Sequence, residues 1–392
     1  MPHSKAPINS LDAFASAKLE ALEVKNQRRT LKDVARAANM ALTDDKGASR
    51  ISFTDNDYLG LSTHPEVIAV SCRAARMYGA GSGASRLVTG NHPLYRQLET
   101  KIAKIKGTEA AAVFGSGYLA NVGIIPTLVG KGDLIIADEL VHTSIHAGMK
   151  LSSSTIKFFR HNDTDHVSQI LAQNREAFEK VLILVDGVYS MDGDIAPMKE
   201  LGELARAYNA WLMNDDAHAL GTIGGGRGSM HACKAEGLVP LQMGTLSKGA
   251  GSYGGYLAAS KPVIDLIKTR ARSFIYTTGL PPSAVAASLK ALEIMEANPN
   301  LVARPVLLAR RFAAALKLPK PDTPIVPLVI GSELDALNAS ESLSASGFKV
   351  IAFRPPTVAE GTSRLRFSFS ASHRDEDVEA LIAACQSLGL GG

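Results

Sequence analysis

Between about residues 66 and 285 the chain repeats one arrangement: a short, mostly apolar run, a polar or glycine-bearing break, then a longer stretch with helical apolar spacing. The apolar runs are AAAVFG, DLIIAD, TIKFFR, VLILVDG, WLMNDD, LQMGTL and GGYLAA. Runs of this length without polar alternation read as strands buried on both faces, and the stretches between them as the helices that cover them. The alternation predicts a mainly parallel sheet with helices on both sides, and ligand sites just beyond the C-terminal strand ends. Ahead of it, residues 11 to 45 carry a helical pattern, and ISFTDNDYLGLSTHP at 51 to 65 changes to a short strand and a polar turn. After it, PSAVAASLKALEIMEA reads as a helix, residues 318 to 327 as a Pro-rich link, and IVPLVIG and RLRFSFS as strands of a small α+β unit. The expected division is an N-terminal arm over 1–55, a large α/β domain over 56–285 and a small C-terminal α+β domain over 286–392.

Composition supports that division and removes several function classes. A chain of 392 residues exceeds what one hydrophobic core usually supports. With 46% apolar and 20% charged residues it is a folding sequence with ample material for buried strands. The net charge of +4 comes from scattered Lys and Arg, of which NQRRTLK at 26 to 32 is the densest cluster. That cluster is too small to be a nucleic-acid footprint, so no nucleic acid partner is expected, although a mild positive field helps recruit an anionic small substrate. Cys72, Cys233 and Cys385 are far apart and lack metal-ligand spacing, which fits a reducing compartment. The N-terminus reads as a loop and then an amphipathic helix, without the apolar core of a signal peptide, and no run is long enough to span a bilayer. A cytoplasmic protein with no membrane partner is the expectation.

The chemistry-bearing residues gather at predicted strand ends. VLILVDG carries Asp186 at its tip, and WLMNDD carries Asp215 and Asp216 with His218 close behind. A carboxylate at the mouth of an apolar strand is costly unless it meets a cation or a proton donor; a helix N-cap is the structural alternative. Lys248 follows LQMGTL and is followed by four glycines within seven residues, so the backbone there approaches something closely. A partly desolvated lysine at such a place has a lowered pKa and forms an imine with an aldehyde. In FGSGYLAN a strand runs into Gly115, Ser116 and Gly117 and a helix begins, which offers free amides to a phosphate. YGAGSGASRLVTG follows a helical stretch and has Ala84 where a dinucleotide fingerprint wants its last glycine, and GGGRG at 224 to 228 reads as a tight turn rather than a P-loop. His142 and His146 lie one helical turn apart without a glutamate after His142, so no metal is expected. No G-x-S-x-G elbow occurs, which disfavours serine hydrolase chemistry.

The GSG turn, the DDAH run and TLSK followed by GSYGG together resemble the α-oxoamine synthases, a family of fold-type I pyridoxal phosphate enzymes that condense an amino acid with an acyl thioester and lose carbon dioxide. The likeness runs from NDYLGLSTHP near residue 56 to RLRFSFSASH near 373, and FRPPTVAEGTSRLRFSFSASH is most similar to the biotin-pathway branch. That branch joins L-alanine to pimeloyl-coenzyme A or a pimeloyl carrier-protein thioester. Branches taking glycine or serine with other acyl groups share the core motifs, and the biotin branch often carries Glu where this chain has Asp186. An aminotransferase and a non-catalytic binding protein on the same fold are the alternatives from other classes. The resemblance implies pyridoxal 5'-phosphate held covalently on Lys248, with Asp215 on its ring nitrogen, His218 on its ring hydroxyl and His142 stacked on its face. It implies further cofactor contacts at Ser190 and Thr245, and a phosphate seat at Ser116, Gly117 and Tyr118. Thr277 and Thr278 match a segment that completes that seat from the other subunit, which implies a homodimer with a composite site. Asn56, Arg366 and, less directly, Arg354 match positions at the substrate carboxylate.

Overall fold

Each of the apolar runs in the middle of the chain forms a strand in the computed structural model, which describes residues 9–24, 27–28 and 30–391. Three short strands come first: β1 (Val34–Arg36), β2 (Ala41–Asp44) and β3 (Ser49–Ser52). The central sheet follows with β4 (Ala110–Phe114), β5 (Leu134–Asp138), β6 (Thr155–Phe159), β7 (Val181–Asp186), β8 (Trp211–Asp215), β9 (Leu241–Thr245) and β10 (Gly255–Ala259). The last part holds β11 (Ile325–Gly331), β12 (Phe348–Lys349), β13 (Ile351–Phe353) and β14 (Ser363–Ser368). The central sheet runs β4-β10-β9-β8-β7-β5-β6. Pairings from β9 through β8, β7 and β5 to β6 are parallel, and β10 is antiparallel to both of its neighbours.

The reason the inner strands are mostly apolar is visible in the packing. Ile135, Ala137, Leu182 and Leu184 face a core that includes Ile124 and Ile125 of the helix Gly117–Leu128. Their neighbours Leu134, Ile136, Val181, Ile183 and Val185 face the opposite core, which includes Val167, Leu171, Met198 and Leu201. Successive residues point to opposite faces, and both faces are covered.

The small sheet is β11-β14-β13, antiparallel, with Phe312, Val326, Leu365, Phe367, Val378 and Leu381 in one core. Phe53 joins that core from the N-terminal side. The helix expected to open the small unit, Pro282–Ala297, instead packs Val285, Ala291 and Leu292 with Tyr95, Leu98 and Ile102 of the large unit.

The helical expectation over 11–45 fails after Val24. A helix spans Ser10–Val24, with no buried residue, and the chain then forms the β1–β2 hairpin. Asn39 and Met40 take positive φ in its turn. Asp44 accepts from the amides of Lys46 and Ala48 and so turns the chain into β3. β3 pairs in parallel with the distant β12, so a long-range contact overrides a short helical periodicity. The loop expected at the extreme N-terminus lies, over 1–8, outside the described residues, as do Asn26 and Arg29 of the basic cluster. Among the described residues no helix is long and apolar enough to cross a membrane.

Candidate active site

Lys248 lies in the turn between β9 and β10, where the backbone is crowded from two sides. A Cβ on Gly249 would come 2.2 Å from the Leu220 carbonyl oxygen, and one on Gly251 would come 2.4 Å from the Ser62 amide. Only glycine lets the turn press against both segments. The lysine side chain enters a cavity of about 230 Å³ at the C-terminal ends of β7 and β8, lined also by Ser116, Gly117, Tyr118, His142, Asp186, Asp215, His218 and Thr245. Burial lowers the Lys248 pKa against the pull of Asp215 and Asp186, with Arg366 adding to the decrease, and brings it to about 8. A lysine so placed presents part of its population as free amine near neutral pH, as a nucleophile or proton carrier requires.

A line of hydrogen bonds runs from that amine into the small unit. Lys248 Nζ lies 2.7 Å from His218 Nε2, and His218 Nδ1 lies 2.6 Å from the Tyr58 hydroxyl. The hydroxyl donates to Asn56 Oδ1 at 3.3 Å, and Arg366 Nη2 donates to the same oxygen at 2.6 Å. Because Asn56 Oδ1 only accepts, the Tyr58 proton points toward it, the Tyr58 oxygen accepts from His218 Nδ1–H, and Nε2 is left to accept from the lysine. The polarity of the whole line is fixed by one amide. Burial suits it: it holds the Tyr58 hydroxyl protonated, with a pKa near 12, and together with Lys248 and Arg366 it keeps the His218 imidazole neutral.

On the other wall, Asp215 is anchored by the Ala217 amide at Oδ1 and by Asn121 Nδ2 at Oδ2, both at 2.9 Å. Asn121 Nδ2 also meets Ser144 Oγ, which pairs with His142 Nδ1 at 2.7 Å. His142 caps the helix Thr143–Ser152 by accepting from the Ser144 amide, which leaves its proton on Nε2. Burial lowers its pKa more than Asp215 raises it, so the ring is neutral. Asp186, beside Asp215 in the sheet register, accepts the His142 amide at 3.3 Å. Burial and the Asp215 charge raise its carboxyl well above the usual range. The GSG turn opens the helix Gly117–Leu128, with Ser116 as N-cap accepting from the Leu119 amide. The first amides of that helix have no intrahelical acceptor and form the positive end of its dipole.

The chain matches the family model for class I and II aminotransferases over residues 48–384. It is 53% identical over 371 residues to the 8-amino-7-oxononanoate synthase of Beijerinckia indica subsp. indica, covering 95% of this chain and 96% of the relative. The enzyme of the same name from Methylocella silvestris is 57% identical over 342 residues, covering 87% and 97%. This chain belongs to the 8-amino-7-oxononanoate synthase family. Among solved structures, Sphingomonas wittichii serine palmitoyltransferase superposes with a TM-score of 0.90 at 29% identity, over 99% of this chain and 100% of that one. The S. paucimobilis serine palmitoyltransferase with bound PLP gives 0.89 at 29%, over 98% and 100%. The cofactor of the family is pyridoxal 5'-phosphate, and the residues present fit it. Asp215 is 5% exposed yet has no ion-pair partner among the described residues, the situation a protonated ring nitrogen relieves. The free amides at residues 117 and 118 suit the phosphate, and the buried amine of Lys248 suits the aldehyde.

Of the residues singled out from the sequence, the cavity brings together Ser116, Gly117, Tyr118, His142, Asp215, His218, Thr245 and Lys248. Asn56 and Arg366 join it through Tyr58. Ser190 contributes its carbonyl, which accepts from Arg366 Nη1 at 3.1 Å. Thr277 and Thr278 line a separate narrow cleft with Gly115 and Arg86, and Arg354 lies after β13, off the cavity. Sequence reasoning passed over Tyr58, Asn121 and Ser144. Tyr58 stands in the NDYLGL segment already under scrutiny, whereas Asn121, one helical turn after Gly117, reaches Asp215 only through the fold.

Proposed function

We infer that this chain joins L-alanine to a pimeloyl thioester, with loss of carbon dioxide and release of the thiol, to give 8-amino-7-oxononanoate in biotin biosynthesis. The observation that carries the reading is the line Lys248–His218–Tyr58–Asn56–Arg366, which ties a proton-transferring amine to a carboxylate reader. When bound, pyridoxal 5'-phosphate supplies an electron sink for the charge that develops at the amino-acid α-carbon. Lys248, Asp215, His218, Thr245 and His142, which line one cavity, would hold it, with Asp215 offering its carboxylate to the ring nitrogen and His142 a neutral imidazole. Arg366 holds the alanine carboxylate: the residue is 3% exposed and its Nε has no hydrogen-bond partner among the described residues, which leaves a buried donor for a carboxylate oxygen. Asn56 fixes that fork. Lys248 Nζ, oriented by His218, would take the α-proton of the amino acid and later return it to the product carbon.

The homodimer belongs to the same reading, with Thr277 and Thr278 of each subunit completing the phosphate seat of its partner. The protein acts in the cytoplasm on small anionic substrates. A matrix of amino acids against acyl thioesters, read by thiol release, tests the assignment. Release that requires both L-alanine and a pimeloyl thioester is expected; release with glycine and acetyl-coenzyme A alone would overturn it.

A further inference from the structure

The loop between β7 and the helix Met198–Ala207 carries Ser190, whose carbonyl holds Arg366, and Asp192, which pairs with Arg364. Within the loop the backbone makes the bridge Val188–Ile195, Tyr189 N to Asp194 O at 3.0 Å, Gly193 N to Tyr189 O at 2.8 Å and a long bond from Ala196 N to Gly187 O at 3.4 Å. The Gly187 amide ties its start to the Asp215 carbonyl at 2.8 Å and Thr323 Oγ1 donates to the Gly193 carbonyl at 2.7 Å, while its far side is tied to the central sheet by side chains of the turn after β6, His161 first among them. Nδ1 of that ring is 3.0 Å from Asp138 Oδ1 at the tip of β5, and Nε2 is 2.7 Å from Asp194 Oδ2 in the loop. Asn162 repeats both contacts, its amide donating to Asp138 Oδ2 and its side chain to Asp194 Oδ2. The Tyr189 ring stands edge-on to the imidazole at 4.4 Å.

We propose that His161 is a positioning residue for the amino-acid substrate: it clamps the 188–195 loop to the sheet so that the Ser190 carbonyl sets the orientation in which Arg366 reads the carboxylate. This rests on the role given to Arg366 above. Each ring nitrogen faces a carboxylate, so both donate and the ring is an imidazolium. Burial opposes that charge, but the two carboxylates outweigh it and push the pKa up to about 10, so the clamp stays closed across the working pH range. Arg366 is held from one side by Asn56 and Ser368 and from the other by the loop. Loosening the loop frees the guanidinium to turn without touching Lys248, Asp215 or His142. The consequence is a loss in amino-acid binding rather than in the proton transfers.

The test uses the holoenzyme of His161→Phe and Asp194→Asn, with KM and kcat from thiol release and the L-alanine dissociation constant from the change in cofactor absorbance. The expected result for H161F is a rise of about tenfold or more in KM and dissociation constant for L-alanine, with kcat within about threefold and the thioester KM unchanged. D194N keeps the Asp138 contact and shifts the same constants by about threefold; it carries the test if H161F does not fold. In an Arg366→Lys background H161F adds less than about twofold, because the two act through one group. A fall in kcat with unchanged KM, or an undiminished H161F effect in R366K, overturns the proposal. R366K leaving the alanine KM unchanged overturns the carboxylate reading, and the proposal with it. Should the enzyme accept glycine instead, the same split read on glycine decides.

Discussion

Behind the cofactor wall, Lys106 and Asp216 form an ion pair with both side chains fully buried, at 2.5 Å. Lys106 Nζ also donates to the Arg227 carbonyl at 2.7 Å, and Asp216 Oδ1 accepts from the Ser229 hydroxyl at 2.5 Å and its amide at 3.2 Å. The site has no room for a replacement solvent shell, since a Cβ on Gly228 would lie 2.1 Å from Asp216 Oδ2 and 2.7 Å from Lys106 Nζ. Lys106→Met therefore strands a carboxylate without its cation, a perturbation that costs roughly 3–5 kcal/mol. The bonds retained at Oδ1 place this case at the lower end, about 3 kcal/mol. Lys106→Met combined with Asp216→Leu removes both charges and leaves only the Arg227 carbonyl and Ser229 short of partners, so it should recover about half of that loss. Equilibrium urea unfolding followed by circular dichroism reads both variants against the parent. A cost for K106M below about 1 kcal/mol, or a double variant no more stable than the single one, refutes the reasoning.

Three further outcomes are expected. In the apoprotein, labelling with an amine-reactive reagent should reveal one lysine, absent in Lys248→Ala, whose reaction has a pH midpoint near 8; a midpoint near that of surface lysines would sink the assignment of its environment. Tyr58→Phe removes the hydroxyl that accepts from His218 and should lower kcat about tenfold at unchanged cofactor content, a loss that kcat within twofold of the parent would contradict. His373 stacks on Phe53 in the small-unit core, and burial lowers its pKa to about 4 despite the Ser52 carbonyl and Asp377 nearby. Since the unfolded chain binds the proton first, its contribution to stability is lost as pH falls from about 6.5 toward 4, by up to about 3 kcal/mol. His373→Gln should flatten that part of the pH–stability curve, and an unchanged slope would exclude the mechanism.

The inner strands of the central sheet were legible because they are buried on both faces, so most of their residues must be apolar, and a run such as VLILVD has no other economical place to go. The carboxylate tips, the glycine-rich turn at Lys248 and the GSG helix start were legible for a related reason: polar groups at the mouths of buried strands and glycines in crowded turns are local demands that leave local marks. The N-terminal strands were not, because β1 to β3 exist by pairing with one another and with β12, almost 300 residues on, and nothing within residues 25–45 records that partner. Nor could sequence place Asn121 against Asp215, Tyr58 between His218 and Asn56, or His161 between Asp138 and Asp194. Apart from Tyr58–Asn56, these contacts join segments tens to hundreds of residues apart, and their donors and acceptors become a site only when the sheet sets their distances. Apolar periodicity and spacing alone predicted the layered architecture and the polar groups at its strand ends; the chemistry those groups carry came from the resemblance of their motifs to the α-oxoamine synthases. The tertiary structure decided which of those groups share protons, and which merely lie nearby.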